Sequence, residues 1–181
     1  VTVCSEDFEK DSVPTPFGAY QDTLSRVVIA NDPVEGSSKG KVLSTSYVNG
    51  DSARGRITLS FSSAPVDGIA IMEGEFCFED DNNNETIAPT FMLDLRGKDT
   101  NNGANQIFGP KFDYNNGKIY VNSLGKDVTI TRELPTLGEW HTFKIVMDMV
   151  SDTAELYIDG NVVNASPIPM QQKEKDTVNF Y

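Results

Sequence analysis

Gly138-Glu139-Trp140-His141-Thr142-Phe143-Lys144-Ile145-Val146-Met147-Asp148, then, after a short polar break, Leu156-Tyr157-Ile158-Asp159-Gly160-Asn161-Val162-Val163, reads as the two strands of one hairpin. Phe143, Ile145, Met147 and Met149 fall at every second position, as do Leu156 and Ile158. Successive side chains of a strand point to opposite faces, so one face of each segment is apolar and the other polar. Asp159-Gly160 closes the second segment, and Asp-Gly tolerates the positive φ that a two-residue turn requires. Trp140 stands at the start of the first strand as a packing residue.

The same alternation recurs outward from this hairpin. In Arg56-Ile57-Thr58-Leu59-Ser60-Phe61 it puts Ile57, Leu59 and Phe61 on one face. Phe91-Met92-Leu93-Asp94-Leu95-Arg96 reads as one strand with Phe91, Leu93 and Leu95 inward, and in Lys118-Ile119-Tyr120-Val121-Asn122 the inward pair is Ile119 and Val121. Asn49-Gly50, Asp67-Gly68, Asn102-Gly103 and Asn116-Gly117 add further turn signals. No stretch keeps a helical apolar period beyond two turns. Short strands at about ten-residue spacing predict an all-β, two-sheet antiparallel sandwich. After Ser166-Pro167-Ile168-Pro169 and the charged Lys173-Glu174-Lys175-Asp176, a last strand, Thr177-Val178-Asn179-Phe180-Tyr181, is expected to pair back beside an early strand. No internal linker is visible, so a single domain over 1–181 is expected; the start at Val1 rather than Met reads as a processed chain or a fragment excised from a larger protein, with the domain expected as a monomer tethered to others.

Composition narrows the partners. The 181 residues carry 27 acidic and 15 basic side chains, a formal charge of −12. Such a surface repels a phosphate backbone, which excludes nucleic acid, and it disfavours polyanions and anionic membranes. No apolar run approaches the ~20 residues of a membrane span, so no membrane insertion is expected. Cys4 and Cys77 are the two cysteines and His141 the single histidine; without a Cys/His cluster, zinc chemistry is excluded. Two readings of the cysteines stay open: a disulfide, or two small buried hydrophobes.

The hairpin motif resembles one found in laminin-G-like and concanavalin A-like jelly rolls, the lectin/glucanase superfamily: G-x-W-H, a strand, a polar turn, then L-Y-h-D-G-x-x-h, where h is apolar. Glu6-Asp7-Phe8-Glu9 is similar to the "DFE" opening of its bacterial members, among them carbohydrate-binding modules. The resemblance covers residues 138–163 and these four. It implies a jelly roll in a secreted or cell-surface protein, and it leaves lectins, binding modules, hydrolases, lyases and adhesion modules all open.

Glycosidases need two carboxyl groups flanking the scissile bond. Glu73, Glu75 and Glu79, with Cys77, fall on one face of an alternating strand over 69–79. Laminarinase-type enzymes carry E-x-D-x-x-E there; this strand has Glu for the central Asp and lacks cleft tryptophans. A polar sheet face with solvated Glu explains it equally. For a sandwich lyase, Asn105-Gln106-Ile107-Phe108 lacks the histidine of Q-I-H, and His141 lies in the hairpin motif, where a structural role suffices. No G-x-S-x-G elbow exists for a serine triad. Asp80, Asn82 and Asn84 have the spacing of a calcium loop without its Gly and distal Glu, so a structural Ca2+ is a candidate cofactor against an ordinary exposed turn. The sequons at Asn84 and Asn164 are explained by chance.

The last constellation is a binding face. The alternation places Glu75, Asp94, Arg96, Lys111, Asp113, Tyr120 and Asn122 in a polar strip across successive strands. Planar polar side chains satisfy sugar hydroxyls in bidentate fashion while an aromatic ring stacks on the C–H face. Cross-strand ion pairs, such as Lys111 to Glu75, are the plain alternative. Phe17, Tyr20 and Tyr47 form a second candidate platform. The expected function is non-catalytic binding of a polysaccharide or oligosaccharide. The alternatives are a glycoside hydrolase using Glu73, Glu75 and Glu79, and an adhesion or structural module with a protein partner.

Overall fold

The computed structural model describes residues 7–10, 17–20, 25–47, 56–60, 68–79, 90–92, 95–99, 103–124, 126–170 and 178–180. Every regular element among them is a β-strand and every described pairing is antiparallel. The chain divides into two compact units, residues 1–60 with Tyr181, and residues 61–180.

The first unit holds β1 (Phe17–Tyr20), β2 (Ser25–Asn31), β3 (Lys41–Tyr47) and β4 (Arg56–Ser60). β1 pairs with β4 and β2 with β3. The β2–β3 connection is pinned at its base by the Asp32 N–H donating to the Gly40 carbonyl at 3.1 Å. The Glu9 carboxylate crowds the same point: a Cβ on Gly40 would lie 2.7 Å from its Oε2. Phe17, Tyr20 and Tyr47, the second candidate sugar platform, lie in β1 and β3.

The second unit holds β5 (Ile69–Phe76), β6 (Thr90–Met92), β7 (Leu95–Asp99), β8 (Gly103–Phe108), β9 (Lys111–Asp113), β10 (Lys118–Ser123), β11 (Lys126–Thr131), β12 (His141–Asp148), β13 (Thr153–Ile158), β14 (Asn161–Val162), β15 (Ile168–Pro169) and β16 (Val178–Phe180). One sheet has the order β14-β13-β12-β5, with β15 also on β13; the second has the order β11-β10-β9-β6. β7 pairs with β8 on one side and with β16 on the other.

The first two sheets enclose one core. Phe112, Ile119 and Val121 come from one, and Phe76, Phe143, Ile145, Met147, Ala154, Leu156 and Ile158 from the other. Phe112 and Phe76, one from each sheet, have ring centroids 5.6 Å apart in a tilted pair. Each fully buried side chain of this size contributes about 1.5–3 kcal/mol. This is the predicted antiparallel sandwich, and Phe143, Ile145, Met147, Met149, Leu156, Ile158, Ile119 and Val121 are buried where alternation put them.

Three expectations change. Of the strand expected over 91–96, the described parts are Thr90–Met92 (β6), which pairs with β9, and Leu95–Asp99 (β7), which pairs with β8; residues 93 and 94 lie outside the described ones. A two-residue period sorts side chains to faces but does not choose the neighbouring strand. The strand expected over 69–79 stops at Phe76, which leaves Glu79 beyond it. Asp113, expected to point outward, is buried (8% exposed) because its carboxylate turns into the β9–β10 connection. There Oδ1 accepts the Asn116 N–H at 3.1 Å and Oδ2 accepts Asn116 Nδ2–H at 2.8 Å. Cys4, Asp80, Asn82, Asn84 and Asp94 lie outside the described residues. Cys77 is half-buried just after β5.

Candidate functional site

The outward positions of β5, β12 and β13 form a polar face over the core. Burial alternates along each strand, so the residues between the core positions look outward. Lys144 lies opposite Tyr157 on one side and Glu73 on the other, Thr142 lies opposite Glu75, and Tyr157 also faces Val162 on β14.

These rows make an open groove of about 440 Å³. Glu73 and Glu75 form one side, Tyr157 the other, with Thr142 and Lys144 between them and Gly160 at one end. From β5 to β13 is two inter-strand steps, about 10 Å, wide enough for one sugar ring. Beneath the groove β5 runs close to the Phe143 ring: a Cβ on Gly74 would lie 3.0 Å from Phe143 Cε1.

The end of the groove is organised by the turn that the sequence marked. Asp159 and Gly160 have φ of 49° and 77°, the left-handed pair of a two-residue hairpin loop. The Asp159 carboxylate binds back across the hairpin. Oδ1 accepts the Thr142 N–H at 2.8 Å, and Oδ2 accepts from His141 Nδ1 at 2.7 Å. The hydrogen bond from His141, followed by that of the Thr142 amide, outweighs partial burial and holds the Asp159 carboxyl below its ordinary range. His141 Nε2 lies 3.1 Å from the Thr136 carbonyl oxygen. Its partners are therefore structural, tying β12 to the end of β13. At the other side of the groove the Tyr157 hydroxyl donates to Glu155 Oε2 at 3.0 Å, the main reason that its pKa is raised.

The expected strip is divided. Lys111, Asp113, Tyr120 and Asn122 share the β11-β10-β9-β6 sheet, Glu75 belongs to the β14-β13-β12-β5 sheet, and Arg96 lies on β7. Within the first group Lys111 is directly opposite Tyr120. The ammonium groups of Lys111 and Lys118 lie 5.4 and 4.7 Å from the Tyr120 ring centroid, so a sugar stacking there would have to displace a cation. Asn122 donates to Asp127 Oδ1 at 3.3 Å. Burial, ahead of the nearby Asp127 and Asp113 charges, raises the Tyr120 pKa.

No protein-family model matches the sequence, and no curated protein matches it significantly. Among solved structures the chain is similar to sheep galectin-11 in complex with glycerol, at 9% identity and a TM-score of 0.48, over 68% of this chain and 86% of that one. It is also similar to the carbohydrate-binding module CBM66 from Bacillus subtilis, at 14% identity and a TM-score of 0.35, over 86% and 91%. Likeness of this degree carries no argument about what this chain binds.

Tyr157, Lys144, Thr142 and Glu73 were not in the strip expected from sequence, although the signal was present. Tyr157 falls between Leu156 and Ile158, and Lys144 between Phe143 and Ile145. The alternation that buries their neighbours turns both outward. Chemically the groove offers the Tyr157 ring, with Phe143 also in its lining, two carboxylates, an ammonium and a hydroxyl on one sheet. No group of three or more His, Cys, Asp or Glu able to hold a metal occurs among the described residues.

Proposed function

We propose that this chain is a non-catalytic carbohydrate-binding domain and that the β5-β12-β13 groove is its site. The observation that carries this is the placement of Tyr157 one row-step from Lys144 and two from Glu73, in a groove one sugar ring wide. A pyranose has an apolar C–H face and a rim of hydroxyls. Tyr157 suits the first, and Lys144, Thr142 and Glu75 suit the second. The sheet positions these groups before the ligand arrives, which lowers the ordering cost of binding. Asp159 and its two donors steady the Gly160 end.

A neutral-glycan binding screen on the 1–181 chain, with reducing-sugar release assayed on every hit, tests this. Binding without release is expected, weakened about tenfold in Tyr157→Ala. Failure to bind any neutral glycan, or binding that ignores Tyr157→Ala, would sink the proposal.

One observation favours a second reading. Glu73 and Glu75 both line one side of the groove, two residues apart on β5, which puts their backbone positions about 7 Å apart, and inverting glycosidases use a pair of carboxyl groups. Both are exposed, whereas a glycosidase's general acid is kept protonated by apolar surroundings. Sugar release abolished by Glu75→Gln would move the assignment to hydrolysis.

A further inference from the structure

Glu155 does not line the groove, yet its carboxylate holds the Tyr157 ring, which does. Glu155 and Tyr157 stand two residues apart on β13 and so share its outward face. The hydroxyl donates to Glu155 Oε2 at 3.0 Å. Glu155 itself lies opposite Val146, which faces Ile71, so its cross-strand neighbours on this face are apolar. A Tyr ring on an open sheet face is otherwise free to turn about its side-chain bonds, and a ligand stacking on it must first stop that motion. A phenol that donates to a charged acceptor also gains electron density on oxygen and ring. That deepens the negative face to which C–H groups are drawn.

We propose that Glu155 is a positioning residue of the groove: by holding the Tyr157 hydroxyl it fixes the ring in the stacking orientation and strengthens its attraction for the C–H face of a neutral pyranose. This rests on the assignment of the groove as a carbohydrate site. Glu155 acts through Tyr157 and makes no contact of its own with the sugar.

The test is a double-mutant cycle read by calorimetry against neutral hexaoses of glucose, mannose, xylose and galactose. Glu155→Ala and Tyr157→Phe are each expected to weaken binding about threefold, the effect of losing one hydrogen bond. The double variant should be no weaker than either single one, and Glu155→Gln, which keeps an acceptor, should recover most of the loss. Without sugar, a 13Cζ-tyrosine label should show the Tyr157 resonance, identified by its loss in Tyr157→Ala, moving further in Glu155→Ala than in Glu155→Gln. Melting temperatures of all variants should stay near wild type, separating positioning from stability. Binding lost in Tyr157→Ala but unchanged in Glu155→Ala overturns this inference alone, as do additive losses in the double variant. No binding to any hexaose, or binding indifferent to Tyr157→Ala, overturns the groove assignment and this inference with it.

Discussion

Asn164 and Asp159 each do work that their sequence context does not announce. Asn164 falls in a sequon that chance explains, and it is buried. Its Oδ1 accepts the Leu156 N–H at 2.7 Å and its Nδ2–H donates to the Ser166 carbonyl at 2.7 Å, so the amide is occupied by the fold. A polar side chain that satisfies a buried backbone group is visible only once the partner is placed. Asp159 was legible as a turn residue but not as the acceptor for His141 and the Thr142 amide. Its folded-state pKa lies below the ordinary 3.8, so its stabilising effect is present above that value and is lost as pH falls through the lower, folded one. Wild type should therefore lose melting temperature when acidified from pH 5 to pH 3, and Asp159→Asn should show a smaller loss over that interval. Thermal melts across the interval check this; equal slopes for both proteins would remove Asp159 from the account. Tyr114 shows burial acting in the other direction. Its hydroxyl donates to the Pro135 carbonyl at 2.7 Å, and burial, with Cys77 adding, pushes its pKa up to about 12.

At the scale of elements, the β12–β13 hairpin was the most legible part of the chain. It is antiparallel from Phe143↔Ile158 to Asp148↔Thr153, with Leu156 directly opposite Ile145. Both of those side chains are fully buried. Leu156→Ala should destabilise the protein by about 2–5 kcal/mol, since it removes buried methyl groups and leaves a cavity between two sheets. Denaturant unfolding measures this, and a loss below about 1 kcal/mol would mean that the sandwich does not close over β13. Elements failed to be legible where pairing rather than patterning decided them. Phe91 and Leu95 both carry the right alternation, yet they belong to strands that pair with β9 and β8 respectively. Asp113 alternates outward on paper, but two donors from Asn116 hold its carboxylate in the turn.

For the whole molecule, the all-β sandwich followed from period and turn chemistry, because one apolar face per strand leaves few ways to bury it. The candidate site did not follow, for a related reason. Alternation turns Tyr157 and Lys144 outward, but which outward faces combine depends on the order β14-β13-β12-β5, which alternation does not encode. The polar strip assumed one continuous sheet, whereas its members are divided between sheets. On the proposed carbohydrate reading, the −12 charge weighs against uronates and sulfated glycans and favours neutral sugars. The most direct measurement is an amide chemical-shift map of the 15N-labelled chain titrated with a neutral oligosaccharide from the screen. The largest shifts are predicted at Glu73, Glu75, Thr142, Lys144, Tyr157 and Gly160, with Lys111, Lys118 and Tyr120 unmoved. Shifts centred on Lys111, Lys118 and Tyr120, with the β5-β12-β13 face silent, would contradict the account.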